Sequence, residues 1–459
     1  MWSVWGAAKV EPPFGKSVVF VGVDSLSKTS FDRAGREMPA LHDLLHSSRV
    51  YERAYTPLGR TYPAWISILS GRTPQETGAI CNLRNMEVVA TNDLLSSRLQ
   101  QDGFKTVFAI DERRFNNMGE SFGFDRVIGP KVGVLDFVLQ NFSDNPLSNL
   151  ALQFGLAKLL YPYSYINSAS YVNYSDVGFV NSVLSAVDGG GKVFLAVHFE
   201  SAHFPYKTRH SAIKVKSDNT FWSQHAEALS AVDKQVAMLM SGLKDKGMLD
   251  DALVVLLSDH GEGLGDVERT LNVDGQAQDI VGYGHGVNLL SDAQNRVVLG
   301  TLVFRHGKVV NQASEDRQQV SLADIRAGVE RYLQGEDPVL SSQSACMIVE
   351  TGIRFSAAAN YKTLNEAELA EQSASFYEVT GMGLLQLRES RLAELVRGKD
   401  VGLRCQDRLT YYSVERSGYL AFDLDSKGLP VRQVAPLDQD VQVIESYRRK
   451  YKDQYVEGL

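Results

Sequence analysis

Three stretches of the chain, KSVVFVGVD (16–24), KVFLAVHFE (192–200) and DALVVLLSDH (251–260), are continuous apolar and β-branched runs with no polar alternation. Such runs belong to strands covered by helices on both faces, as strands of parallel sheets are. Each of the three ends in His, Asp or Glu. In open sheets of this kind ligands bind in the crevice beyond the carboxyl ends of the strands, so three strands carry ionisable groups to one edge.

Helical patterns lie between them: MPALHDLLHS (38–47), YPAWISILSG (62–71), NDLLSSRLQQDG (92–103) and HAEALSAVDKQVAMLMSGLKDKG (225–247). Strand and helix in alternation predict an α/β fold, a mostly parallel central sheet with helices on both faces. We place this unit at residues 16–340, after an N-terminal extension at 1–15. Within it, residues 135–166 form an apolar, Leu- and aromatic-rich insert, read either as packing on its own domain or as an amphipathic lid or lipid-facing surface. After residue 340 short alternating strands such as TYYSVERSGYLAFDLD (410–425) precede a charged helical tail, DVQVIESYRRKYKDQY (440–455). Residues 341–459 are therefore expected to form a smaller α+β subdomain with an antiparallel sheet.

The 459 residues suffice for one large domain with a smaller companion. A net charge of −8, with no basic stripe, argues against a nucleic-acid partner. No apolar window is long enough to span a bilayer. Cys81, Cys346 and Cys405 are too few and too widely spaced for a disulfide scaffold or a CxxC site; at most one bridge can form. The opening MWSVWGAAKVEPPFGK lacks the three regions of a signal peptide. Its abruptness suits an excised extracytoplasmic domain, and equally a cytoplasmic protein with a short tail.

Thr61 precedes Tyr62, Pro63 and an apolar helix, which puts its hydroxyl at a helix N-terminus, where negative charge and phosphate-like groups are favoured. Taken alone it reads as a capping threonine. SDHGEG (258–263) sets a carboxylate, Asp259, beside an imidazole, His260, where the chain leaves a strand, and Asp24 ends another strand with a hard oxygen ligand. HFESAHFPY (198–206) and GYGHG (282–286) add His198, His203 and His285 in loops where packing has no need of imidazoles.

In register along residues 16–305, VVFVGVDSLSKTSFD, MPALHDLL, RAYTP, TYPAWISILSGRTPQETG, the 225–266 stretch and GYGHGVNLL resemble the alkaline phosphatase superfamily in its sulfatase-like branch. Sulfatases carry Cys-x-Pro-Ser-Arg at the nucleophile, its cysteine or serine oxidised to formylglycine. Here the matching positions hold Thr61, Pro63, Ala64 and Trp65. By nucleophile type the chain is most similar to the phosphoethanolamine and phosphoglycerol transferases.

The resemblance implies a metal-dependent phosphotransferase or phosphodiesterase with Thr61 as nucleophile, and Asp24, Thr61, Asp259 and His260 around a divalent metal. It makes His203 and His285, with His198 nearby, candidates for the substrate phosphate or a second metal. Ser25 stands where sulfatases usually carry a second acid, which favours zinc, then manganese, over calcium, with one or two ions in all. The expected partner is a phosphorylated or sulfated lipid or glycan headgroup, with peripheral membrane contact and an extracytoplasmic place ahead of a cytoplasmic one. The alternatives are a sulfuric ester hydrolase without formylglycine and a non-catalytic headgroup-binding relative.

Overall fold

The computed structural model describes residues 14–113, 116, 118–130, 165–170, 174–342, 344–353, 375–380 and 385–455. Most of the apolar insert expected at 135–166 and most of the extension at 1–15 lie outside the described residues. Up to residue 321 the strands are β1 (Ser17–Val23), β2 (Arg49–Tyr55), β3 (Lys105–Ile110), β4 (Arg126–Ile128), β5 (Val193–Phe199), β6 (Asp251–Leu257), β7 (Gly263–Val273), β8 (Gln276–Gly284), β9 (Leu299–Arg305), β10 (Lys308–Val309) and β11 (Ser314–Ser321).

One sheet runs in the order β11–β2–β9–β6–β1–β5–β3–β4, with β10 paired to β9. β1 is central and parallel to both neighbours, Val18 lying opposite Phe194 on β5 and Leu253 on β6. The pairs β3–β5, β3–β4 and β11–β2 are also parallel, while β9 runs against β6 and β2.

Side chains of β1 alternate between two cores, as the strand period of two requires. Val19, Val21 and Val23 pack with Leu41 and Leu45 of the helix Pro39–His46, Val183 of Asp176–Ala186, and Leu229 and Val236 of Thr220–Asp245. Val18 and Phe20 point the other way, onto Trp65 and Ile68 of the helix Thr61–Ser70 and Val329 of Ile325–Gln334. Both faces are thus covered, which is why the three sequence runs show no polar alternation.

The C-terminal region forms a five-stranded antiparallel sheet from Cys346–Glu350, Val401–Cys405, Arg408–Ser413, Gly418–Leu424 and Pro430–Val434. Ile444, Tyr447 and Tyr451 of the helix Asp438–Tyr455 pack against Val401 and Leu403. On a separate core, Leu409 and Phe422 meet Leu271 and Ile280 of the β7–β8 hairpin. Cys346 lies opposite Cys405 on neighbouring strands and the two form a disulfide, while Cys81 is free and buried.

This sheet is stitched to the edge where β1, β5 and β6 end. The Glu350 amide donates to Pro57 O at 2.9 Å, and the Gly352 amide to Gly286 O at 2.7 Å. Gly286 has φ +64°, and a Cβ there would meet Gly59 O at 2.3 Å, so only glycine lets these loops touch. That contact sets His285 beside the start of the Thr61–Ser70 helix. Among the described residues no helix is long and apolar enough to cross a membrane.

Candidate active site

Because β6, β1, β5 and β3 are consecutive and parallel, the residues that follow them, Asp259, Asp24, Glu200 and Asp111, leave the sheet at the same edge. The Asp24 amide donates to Phe199 O at 2.9 Å, tying the end of β1 to the end of β5. Gly22 lets His198 sit close: a Cβ on Gly22 would stand 2.7 Å from His198 Nδ1 and 2.9 Å from the Trp65 ring. Trp65 packs edge-on against His198, ring centroids 5.2 Å apart.

Thr61 is the first residue of its helix, after Arg60 at the N-cap. The Tyr62 amide donates to Asn82 Oδ1 at 3.2 Å, and Ala64 N makes the intrahelical bond to Arg60 O at 3.0 Å. Pro63, between them, has no N–H to leave unmet at this end.

The Thr61 hydroxyl lies 3.3 Å from His260 Nε2. That nitrogen is 3.5 Å from Asp24 Oδ1 and 3.4 Å from Asp259 Oδ2. His198 Nε2 approaches Glu200 Oε1 at 3.2 Å, Asp259 Oδ2 at 3.5 Å and Asp24 Oδ1 at 3.9 Å. Ser25, in the left-handed region at φ 60°, directs its hydroxyl to Asp24 Oδ2 at 2.8 Å and Glu262 Oε2 at 3.1 Å. His285 Nδ1 meets Glu262 Oε2 at 2.8 Å, and its ring stacks on His260 at 4.1 Å. His203 stands further out, its ring 5.6 Å from His285.

Burial, reinforced by the charges of Glu200 and Asp259, pushes the Asp24 carboxyl well above its ordinary range. Burial acts the same way on Asp259, but His260 and His198 hold that carboxyl well below it. Burial opposes protonation of His198, yet Asp259 and Glu200 raise it well above an ordinary histidine. Burial lowers His260, and burial with the His260 charge pushes His285 down to about 3. Several carboxylates buried together cannot all ionise without cationic compensation.

The donor set fits a divalent cation. Asp24 Oδ1 and Asp259 Oδ2 are buried and have no hydrogen-bond donor, and both face His260 Nε2. Separations of 3.3–3.5 Å from His260 Nε2 to Thr61 Oγ1, Asp24 Oδ1 and Asp259 Oδ2 match a tetrahedron edge of about 3.4 Å for bonds of about 2.1 Å. Asp24, Asp259 and His260 form one buried group whose ligand atoms lie within 4.8 Å of one another.

Thus Asp24, Thr61, Asp259 and His260, singled out in the sequence, lie together; His198 lies against them, and His285 stacks over them. His203 is separate, but shares with His285, Glu262, Arg60, Asn82 and Tyr206 the lining of a cavity of about 460 Å³. Sequence reasoning passed over Glu200, Glu262 and Asp111. The first two were within reach, since Glu200 closes the run KVFLAVHFE and Glu262 follows His260 by two positions in SDHGEG. Asp111 holds the Glu200 amide at 2.7 Å and accepts from the Tyr174 hydroxyl at 2.5 Å, so it fixes the turn after β5 from behind.

The sequence profile of the Sulfatase family matches residues 16–318. The chain belongs to the sulfatase family. It is an enzyme of the hydrolase or transferase type. No curated protein sequence matches this sulfatase-family chain significantly. Among solved structures it is similar to Ps i-CgsB in complex with k-i-k-neocarrahexaose, with TM-score 0.59 and 16% identity over 95% of this chain and 93% of that one. It is similar to an alkaline phosphatase superfamily protein from Vibrio parahaemolyticus, with TM-score 0.54 and 13% identity over 97% and 88% of the two chains. The lipoteichoic acid synthase LtaP from Listeria monocytogenes gives TM-score 0.55 and 14% identity over 97% and 93%. At these identities the solved structures attest the fold, the same mostly parallel sheet.

Proposed function

We propose that this sulfatase-family enzyme transfers phosphoryl groups through a covalent Thr61 intermediate, acting on phosphodiesters of lipid or glycan headgroups. The observation that carries the reading is the Thr61 hydroxyl at a helix N-terminus, 3.3 Å from His260 Nε2, beside two buried carboxylate oxygens that no donor satisfies. Asp24, Thr61, Asp259 and His260 would hold the cation, zinc ahead of manganese because an imidazole is in the set. A divalent cation there makes an alkoxide accessible at neutral pH and offsets charge on the phosphoryl oxygens.

The residues supply the rest. Thr61 Oγ1 attacks phosphorus, its new P–O bond replacing the bond to the leaving alcohol, whose oxygen takes up the proton given up by the threonine. The helix N-terminus favours the added negative charge. His203 and His285, at the cavity wall, are the groups suited to bind phosphoryl oxygens or pass that proton. Water or an acceptor hydroxyl then attacks phosphorus from the side opposite Thr61 Oγ1; its new P–O bond replaces the bond to Thr61, and the proton it gives up returns to Thr61 Oγ1.

Sulfate ester hydrolysis by the formylglycine route does not suit this chain. Oxidising threonine at Cβ gives a ketone, not an aldehyde, and Trp65 occupies the position of the arginine that would accompany formylglycine. Side-by-side assays of bis-nitrophenyl phosphate and nitrophenyl sulfate, with zinc or manganese, test this. Phosphodiester turnover is expected to exceed sulfate turnover at least tenfold, about 1.4 kcal/mol of transition-state discrimination. Faster sulfate turnover would overturn the reading, and no turnover of either would favour a binding relative.

We further infer an extracytoplasmic site of action. The Cys346–Cys405 disulfide supports it, because such bonds persist mainly in oxidising compartments. In intact cells quenched with a membrane-permeant alkylating agent, Cys346 and Cys405 are expected to react only after reduction. Ready alkylation without reductant would contradict the placement.

A further inference from the structure

We propose that the cavity lined by His203 and His285 carries an aromatic subsite, formed by Phe204, Phe221 and Tyr283, for a pyranose ring esterified to the phosphoryl group; the placing of phosphorus rests on the phosphoryl-transfer reading. Among the described residues these three are the only Phe, Tyr or Trp side chains that stand exposed, at 54%, 44% and 56%. All three line the same cavity of about 460 Å³. Exposed apolar side chains scattered singly need no explanation, but rings gathered around one concave site of this size mark a place for a ligand.

Their positions in the chain set them beside phosphorus. Phe204 directly follows His203, and Tyr283 precedes His285 by two residues. The two histidine rings, with centroids 5.6 Å apart, are the groups suited to phosphoryl oxygens, so the aromatic wall adjoins the phosphoryl position. Phe221, in the first turn of the helix Thr220–Asp245, completes the wall from another element.

The rings are held before a ligand arrives. Tyr206, itself buried, packs edge-on to Phe204 and Phe221, with centroids 5.5 and 6.4 Å away. Tyr283 lies over Gly265, where a Cβ would meet its ring at 2.5 Å. Side chains already ordered in the free protein give up little entropy on binding.

The lining favours a sugar over an acyl chain. A pyranose offers a face of C–H groups to an aromatic ring and a rim of hydroxyls to polar side chains, and Arg60, Asn82 and Glu262 stand among the rings. An acyl chain is served by an enclosed aliphatic channel. Here the aliphatic side chains of the described lining are Leu83, Val287 and Ile353, and the three exposed rings are half open to water.

Binding, not turnover, tests the subsite. The full chain, equilibrated with zinc, is titrated calorimetrically with glucose 6-phosphate, methyl phosphate and octyl phosphate. Glucose 6-phosphate is expected to bind at least about tenfold more tightly than methyl phosphate, and no more weakly than octyl phosphate. That preference over methyl phosphate should fall to about threefold or less in Phe221→Ala and in Tyr283→Ala, which alter different elements. It should persist in Tyr283→Phe, which keeps the ring. Tighter binding of octyl phosphate would assign the wall to an acyl chain and overturn the proposal. Equal affinity for glucose 6-phosphate and methyl phosphate, or a preference untouched in both alanine variants, would overturn it as well. A sugar preference in a chain that turns over no phosphodiester would sink phosphoryl transfer and keep the subsite, whereas no binding of any of the three would overturn both.

Discussion

Thr61→Ala is expected to lower turnover of an activated phosphodiester by at least about 10³-fold, the scale seen when a covalent nucleophile is removed. The loss should fall on kcat, because the hydroxyl makes its bond in the transition state while the cavity walls that bind substrate are unchanged. Folding should survive. Thr61 is the first residue of its helix, and alanine is a better helix former than threonine. The side chain is buried, and what it loses is the 3.3 Å contact to His260 and one of the four groups that would hold the cation. Thr61→Ser, which keeps the hydroxyl, should retain much of the activity. Equal losses in Ala and Ser variants would point to packing instead, and full activity in Thr61→Ala would dismiss the covalent route.

Asp259→Asn is expected to weaken cation binding at Asp24, Thr61, Asp259 and His260 by at least about 100-fold, beyond the 10–100-fold typical of groups that merely orient a ligand. The substitution is isosteric but removes one charge and halves the acceptor capacity at an oxygen 3.4 Å from His260 Nε2. Without a cation the wild-type site confines buried carboxylates, and burial, followed by the charges of Glu200 and Asp259, raises the Asp24 carboxyl. Zinc at about 100 times its Kd should therefore stabilise the wild type by about 2.7 kcal/mol, and Asp259→Asn by much less at the same concentration. Thermal unfolding with and without zinc reads this directly. An identical zinc-induced shift in both proteins would remove Asp259 from the ligand set.

Much of the fold was legible because β1, β5 and β6 are buried on both faces, and unbroken apolar runs are the direct trace of that burial. The antiparallel course of β9 was not, since the pattern records burial and β9 is mostly buried like its parallel neighbours. Asp24, Asp259 and His260 could be found because they terminate such runs, and Thr61 because proline follows it at a helix start. Glu200 and Glu262 were harder to read. An acid just past a strand resembles a solvated strand end, and only the packing of Ser25, His198 and His285 around them makes them interior groups. The disulfide partner was equally unreadable among three cysteines, because it depends on Cys346 and Cys405 meeting across two paired strands.

The central claim, double displacement through Thr61, is tested most directly by the stereochemical course at phosphorus. A phosphodiester made chiral with sulfur in place of one oxygen is turned over in isotopically labelled water, or transferred to an acceptor alcohol, and the configuration of the product is determined. Two in-line displacements, onto Thr61 and off it, each invert the centre, so retention is expected. Net inversion would mean that water or the acceptor attacks the substrate directly, and Thr61 would then be a cation ligand and no nucleophile.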